Sequence, residues 1–222
     1  MEASASPGSE PRYRVAETSM LDAAVAVFAT EGFDRAKMET IAARAGTTKP
    51  TLYARFDSKE NLFAAAVKRE YDVRKERLFE AYSSEDVETF RARLARWINA
   101  YFDLVRERPD GFKLIADGER HPAAAAITER AGSEIVDRIE QLVIQISGRQ
   151  GRDGARLVAS MITGMLTSCA RQAVARRNDL DQAAALCESF LYAALRGLDP
   201  NLFDAVRPEI TASRGRPLRR VG

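Results

Sequence analysis

The sequence predicts an all-α protein of about nine helices, and three observations carry that expectation. Apolar residues recur at i, i+3, i+4 and i+7 through most of the 222-residue chain, the spacing that gathers them on one side of a 3.6-residue helix. No stretch alternates with period 2 for long enough to make a strand. Glycine, proline and short Ser/Asp clusters fall between the apolar stripes, where helices stop and start.

Taken in order, residues 1–11 are rich in Ser, Pro and Gly and are expected to be a disordered arm. From about Thr18 to Glu31, Leu21, Ala24, Val25 and Phe28 form a helical stripe closed by Gly32. A short helix follows from Met38 to Ala45, closed by Gly46, and another from Lys49 to Phe56 carries Pro50 in its first turn. Asp57 or Ser58 then caps a longer helix with Leu62, Phe63, Ala66 and Val67 on one side, running to about Tyr82. Phe90, Leu94, Trp97, Ile98, Tyr101, Phe102 and Val105 mark the next helix, which ends before Pro109, and a short one spans Gly111 to Ala116. Pro122 is expected to open a helix carrying Ile127, Ile135, Ile139, Leu142, Val143 and Ile146. Beyond the Gly/Arg-rich turn at 148–154, two helices run from about Ala155 to Arg177 and from Leu180 to Arg196. Four segments result: the arm at 1–11, a three-helix unit at 12–58, a helical domain at 59–206 and a basic tail at 207–222.

Two short helices joined by a turn containing glycine form the unit that lays its second helix in a DNA major groove. Charge follows the same division. The whole chain carries only +2, yet Arg35 to Lys75 holds ten basic residues against five acidic ones (Glu39, Asp57, Glu60, Glu70, Asp72). A basic end on an otherwise slightly acidic protein is the pattern expected when one end alone meets phosphates. At about 100° per residue, the helix from Lys49 sends Leu52 and Phe56 inward toward Phe28 and Ile41. Pro50 and Ala54 lie furthest from that core, with Lys49, Thr51, Tyr53 and Arg55 around them. Thr48 or Thr47 supplies the N-cap oxygen, and the sequence leaves both open. Lys49 opposes the helix macrodipole by a few tenths to about 1 kcal/mol, a placement that makes sense opposite phosphates or a guanine edge. Lys37 and Lys59 begin the flanking helices, where phosphate oxygens are expected. Arg12 and Arg14 precede the first helix, in reach of a DNA backbone or minor groove, although a floppy arm is the favoured reading.

The segment from Met20 to Leu62 resembles the DNA-binding domain of the TetR family of bacterial transcriptional regulators. The resemblance rests on Leu21-Asp22-Ala23-Ala24, Phe28-Ala29-Thr30-Glu31-Gly32-Phe33, Ile41-Ala42-Ala43-Arg44-Ala45-Gly46 and Thr51-Leu52-Tyr53-Ala54-Arg55-Phe56-Asp57-Ser58-Lys59-Glu60, in order and at matching separations. It implies a cytoplasmic homodimer that binds a near-palindromic operator on double-stranded DNA and is released by a small ligand. It carries base and phosphate contact onto Lys49, Pro50, Thr51, Tyr53 and Arg55, and backbone contact onto Lys59; Thr48 and Lys37 complete the expected set. Two positions depart from the family pattern. Lys37 stands where Ser or Thr is usual, and Pro50 stands where a small residue is common.

The last two helices are rich in small residues, with Ala159 and Gly164 in the first and alanines around Leu186 and Phe190 in the second. Two such helices from each subunit would make a four-helix bundle about a two-fold axis, so Ala159, Gly164, Leu186 and Phe190 are expected at a dimer interface; service as monomer core is the alternative. Trp97, Tyr101, Phe102, Phe112, Met161 and Met165 are candidate linings for a hydrophobic ligand pocket between helices, although an aromatic stripe at this spacing equally describes plain core. The expected function is a regulator, most simply a repressor released by a small hydrophobic ligand. An activator of the same fold and a DNA-binding protein without ligand control are the alternatives.

Catalysis is not expected. The chain has a single histidine, His121, and lacks HExxH, Walker A, GxSxG and strand-linked GxGxxG patterns. No cofactor or metal is implied. Cys169 and Cys187 sit in helical patterns without CxxC spacing, which suits a reducing compartment. No apolar run is long enough to span a membrane, and the first residues lack the apolar core of a signal peptide.

Overall fold

The computed structural model describes residues 10–83, 89–147, 152–199 and 201. Among these residues the chain forms nine α-helices and no strand. They are α1 (Glu10–Glu31), α2 (Met38–Arg44), α3 (Lys49–Phe56), α4 (Lys59–Tyr82), α5 (Phe90–Glu107), α6 (Pro109–Gly118), α7 (Ala125–Ser147), α8 (Arg152–Arg176) and α9 (Leu180–Arg196).

Two boundaries differ from expectation for physical reasons. Helix α1 starts at Glu10 rather than near Thr18, so Arg12 and Arg14 belong to a helix and not to an arm. Its first turns are too polar for apolar periodicity to register, and Pro11 is tolerated there because first-turn N–H groups have no intrahelical acceptor. Helix α7 starts at Ala125 rather than Pro122. Residues 122–124 form a turn, held where the Ala123 N–H donates to His121 Nδ1 at 3.2 Å. The rest of the expected N-terminal arm, the tail at 207–222 and the first part of the Gly/Arg-rich turn lie outside the described residues.

The α2–α3 turn depends on Gly46, whose φ of +65° is costly for a residue with a Cβ. There the Gly46 and Thr47 N–H groups close the end of α2 by donating to Ala43 and Ala42 oxygens. Thr48 caps α3, its Oγ1 accepting from the Thr51 N–H at 3.3 Å, which settles the choice between Thr47 and Thr48. Ser58 caps α4 in the same way, accepting from the Asn61 N–H at 3.0 Å.

Apolar packing does not end with the helix-turn-helix. One cluster joins Phe28, Ile41, Leu52, Phe56 and Phe63 to Leu114 and Ile115 of α6 and to Ile135 and Ile139 of α7. Burying side chains of this size is worth about 1.5–3 kcal/mol each. A second cluster gathers Leu78 of α4 with Leu94, Ile98, Tyr101 and Phe102 of α5 and with faces of α8 and α9. Helix α4 contributes to both. His121, at the α6–α7 junction, rests against Phe33 and Phe63 with ring centroids 4.1 and 5.0 Å away, and Lys113 of α6 donates to the Ala29 oxygen near the end of α1.

Candidate functional site

Helix α3 is anchored from one side. Leu52 and Phe56 are buried, while Lys49, Pro50, Thr51, Tyr53, Ala54 and Arg55 are exposed. Thr51 Oγ1 lies 2.8 Å from Thr48 Oγ1, a pair that orders the first turn. Tyr53 is 39% exposed, with Lys49 Nζ 5.8 Å from its ring centroid. The outward surface is therefore a hydroxyl pair, a phenol, two cations and a small apolar centre on a short rigid helix. Donors and methyl groups of these kinds can address phosphates and base edges.

Both cations are held by carboxylates. Lys49 Nζ is 2.5 Å from Glu39 Oε1 of α2, an exposed contact that raises the lysine's pKa and lowers the glutamate's. Arg55 reaches Glu17 of α1 at 2.7 Å. Lys59, expected at a DNA backbone, donates to the Asp34 oxygen at 3.2 Å and lies 4.6 Å from the centre of the Phe33 ring. Lys37 is exposed at the N-cap position of α2 and makes no side-chain cap bond. Glu17 and Glu39 escape sequence reasoning because neither spacing, 38 nor 10 residues, announces a contact.

At the far end, the outward faces of α8 and α9 carry Leu157, Met161, Leu186 and Phe190 among small residues, with Met161 68% and Phe190 62% exposed. Gly164 is exposed on the same side of α8. Two expectations need correction here. Ala159 is fully buried and belongs to the protomer's own core, because it lies on the inward stripe with Ala155, Val158 and Leu166. Met161, two positions on, falls on the opposite side of α8 and therefore lines no interior pocket.

Of the other expected pocket residues, Phe102 is fully buried in the second cluster, and Trp97 and Met165 are half-buried. Tyr101 and Phe112 line a narrow crevice between α4, α5 and α6. The same crevice exposes a charged seam that the apolar stripe of α4 conceals. Glu70 and Arg74 are buried, continuing the inward positions of Phe63 and Val67. Glu70 accepts two hydrogen bonds from Arg108, at 2.9 and 2.7 Å, and one from Arg69 at 3.0 Å. Burial pushes its carboxyl pKa up, but Arg108 and then Arg69 outweigh burial and hold it below the ordinary carboxylate range. Arg69 also pairs with Asp22 of α1 at 2.8 Å. Arg74 is only 6% exposed and stacks 4.9 Å above the Tyr101 ring. Burial pushes the phenols of Tyr71 and Tyr82 up to about 12, so both stay neutral.

Cys187 is buried beside Cys169, and burial followed by that neighbouring thiol pushes its pKa up to about 12. Among the described residues no cluster of His, Cys, Asp and Glu could hold a metal ion, and no helix is long and apolar enough to cross a membrane.

Residues 20–66 match the family model for bacterial regulatory proteins of the tetR family. The HTH-type transcriptional activator FasR of Mycolicibacterium smegmatis is 29% identical over 169 residues, spanning 75% of this chain and 76% of that protein. A TetR-like transcriptional regulator from Rhodococcus sp. RHA1 superposes with a TM-score of 0.67 at 26% identity, covering 82% of this chain and 97% of that one. FadR of Bacillus subtilis, solved with stearoyl-CoA, shares the fold with a TM-score of 0.68 at 24% identity, over 82% of this chain and 100% of that one.

Proposed function

The chain belongs to the TetR family of bacterial transcriptional regulators, and from that premise we propose that it is a cytoplasmic homodimer that reads an inverted-repeat operator and is controlled by a small hydrophobic ligand. The observation that carries this reading is α3, fixed from behind by Leu52 and Phe56 and presenting Lys49, Pro50, Thr51, Tyr53 and Arg55 outward. Thr48 supports that surface through its cap, and Lys37 and Lys59 flank it. Exposed Leu157, Met161, Leu186 and Phe190 support pairing of α8 and α9 about a two-fold axis. An acyl chain is the favoured ligand class, because the FadR relative is solved with stearoyl-CoA.

Ligand binding would act by population shift. A ligand preferring the DNA-incompetent dimer about 100-fold supplies about 2.7 kcal/mol of coupling. In the first reading the operator-bound dimer represses. In the second it activates, a reading favoured by the name of the FasR relative.

Selection of bound sites from random DNA at physiological salt tests the proposal. An inverted repeat with half-sites about 34–36 Å apart is expected, bound about 10³-fold or more above random DNA. Recovery of unenriched DNA from ligand-free protein would sink it. Stearoyl-CoA titrated against that complex then tests ligand control, and transcription from an operator-bearing template gives the sign.

A further inference from the structure

We propose that Arg74 is the recognition point for an oxyanion, so that the effector is an apolar chain ending in a carboxylate or phosphate whose charged end is held at the α4–α5 seam. This rests on the ligand-controlled reading above and assigns the chemistry of the ligand's head. Arg74 is nine-tenths buried, and its Nε has no hydrogen-bond partner among the described residues. A guanidinium cannot shed its proton to escape burial, and a buried cation without a counter-charge is destabilising. The nearest carboxylate on its own helix, Glu70, is committed to Arg108 and Arg69. Phenols face Arg74, and the Glu119 carboxylate beyond them is engaged with one of these, Tyr71. Tyr101 lies beneath Arg74, and Tyr71 and Tyr82 are close enough to feel its charge. Neutral phenols can stack on a guanidinium or bond to it, but they cannot neutralise it.

The location suits a head group. Arg74 lines the crevice with Tyr101, Leu104, Val105, Phe112 and Ile115, so an apolar wall adjoins the unpaired cation. The crevice leaves about 20 Å³, room for roughly one water molecule. Entry of a ligand must therefore separate α5 or α6 from α4. A second buried donor, Trp97 Nε1, has no partner among the described residues and lies one turn before Tyr101 on α5, its ring set edge-on against Tyr82 at 5.3 Å. Since Trp97 is the only tryptophan, its emission reports on the same seam.

The test is a ladder of matched chains on the full-length protein, read by Trp97 emission and by release from the selected operator. Stearate, stearyl phosphate, stearyl alcohol and stearoyl-CoA are compared on wild type, Arg74→Met and Arg74→Lys. Wild type is expected to bind the two oxyanions about tenfold tighter than the alcohol. Arg74→Met should abolish that preference while melting at the same or a higher temperature, because it removes an unneutralised buried charge. Arg74→Lys should keep part of it. A residue that merely held the fold would do the reverse, lowering the melting temperature of Arg74→Met and leaving head-group preference unchanged. Wild type that binds alcohol and oxyanions alike overturns the proposal, whatever the variants do. A response to stearoyl-CoA alone, unchanged by Arg74→Met, overturns it and leaves ligand control standing. Silence toward all four removes both.

Discussion

Lys49 enters the proposed groove-facing surface already paired, and that pairing decides how it can act. Its exposed contact with Glu39 is of the kind worth little in water, yet Glu39 also sets a negative charge beside any approaching phosphate. Replacing it should help binding through both effects. Glu39→Gln is expected to tighten operator binding by roughly two- to tenfold and to steepen the salt dependence by about one released counterion. A salt titration of operator affinity checks this, and weaker binding would mean that Glu39 positions Lys49 productively. Tyr53→Ala and Arg55→Ala should weaken operator binding by about 1–3 kcal/mol if they reach base edges, with the dimer intact in sedimentation because neither residue lies near α8 or α9. The inward and outward sorting of α3 was legible in the sequence, since Leu52 and Phe56 fix the phase of a short helix. The acidic partners were not, because the loop geometry that brings Glu39 and Glu17 alongside has no signature in spacing.

Among the helices, α4 and α6 meet at the Glu70–Arg108 pair, and the pair makes the joint depend on acid. Helix α6 begins there. A Cβ on Gly111 would stand 2.1 Å from Glu70 Oε2, so the first turn of α6 has room for the carboxylate only because that residue is glycine. Glu70 has a folded pKa below its ordinary value of 4.5. Its contribution is therefore fully present above about that pH and is lost as pH falls through the lower folded value. Arg108→Ala should leave the buried carboxylate with Arg69 alone and cost about 1–3 kcal/mol, or about 2–4 °C in Tm per kcal/mol. Its loss of stability on acidification should also be smaller than in wild type, because without Arg108 the folded carboxyl pKa moves back up toward its ordinary value, which thermal melts from neutral to acid pH would reveal. Identical melts would mean that solvent serves Glu70 as well as Arg108 does. The apolar stripe that announces α4, from Leu62 to Val67, runs on through Glu70 and Arg74 without changing phase. Reading only its apolar members hides the charged seam. Helix α8 poses the opposite difficulty, with small residues on both sides. Ala159 and Gly164 look alike in sequence, yet one closes against the protomer's core and the other faces out.

At the scale of the whole molecule, the open question is what covers the outward side of α8 and α9, and the fold allows that surface to be altered without undoing the protomer. Helix α9 is tied to α5 by Arg91–Glu188 at 3.0 Å and by Arg106–Asp181, while Leu191, Cys187 and Ala184 bury its inner side. Among the described residues, and apart from its chain neighbours and its own helix backbone, no heavy atom lies within 4 Å of where a Gly164 Cβ would stand. Gly164→Leu therefore has room in the protomer and should even gain about 1 kcal/mol of helix propensity, whereas across a close helix–helix interface it would collide. Phe190→Glu adds a charge to a position that is exposed in the protomer and would be desolvated in a dimer. Both variants are expected to keep wild-type helical content and to sediment as monomers at concentrations where the wild type is a dimer. Each monomer carries a single α3, so its DNA binding should no longer prefer two half-sites about 34–36 Å apart over one. If both variants remain dimeric, the interface lies elsewhere and the two-fold axis cannot pass between these helices. If they become monomeric yet still discriminate the full inverted repeat, then the DNA itself pairs the recognition helices.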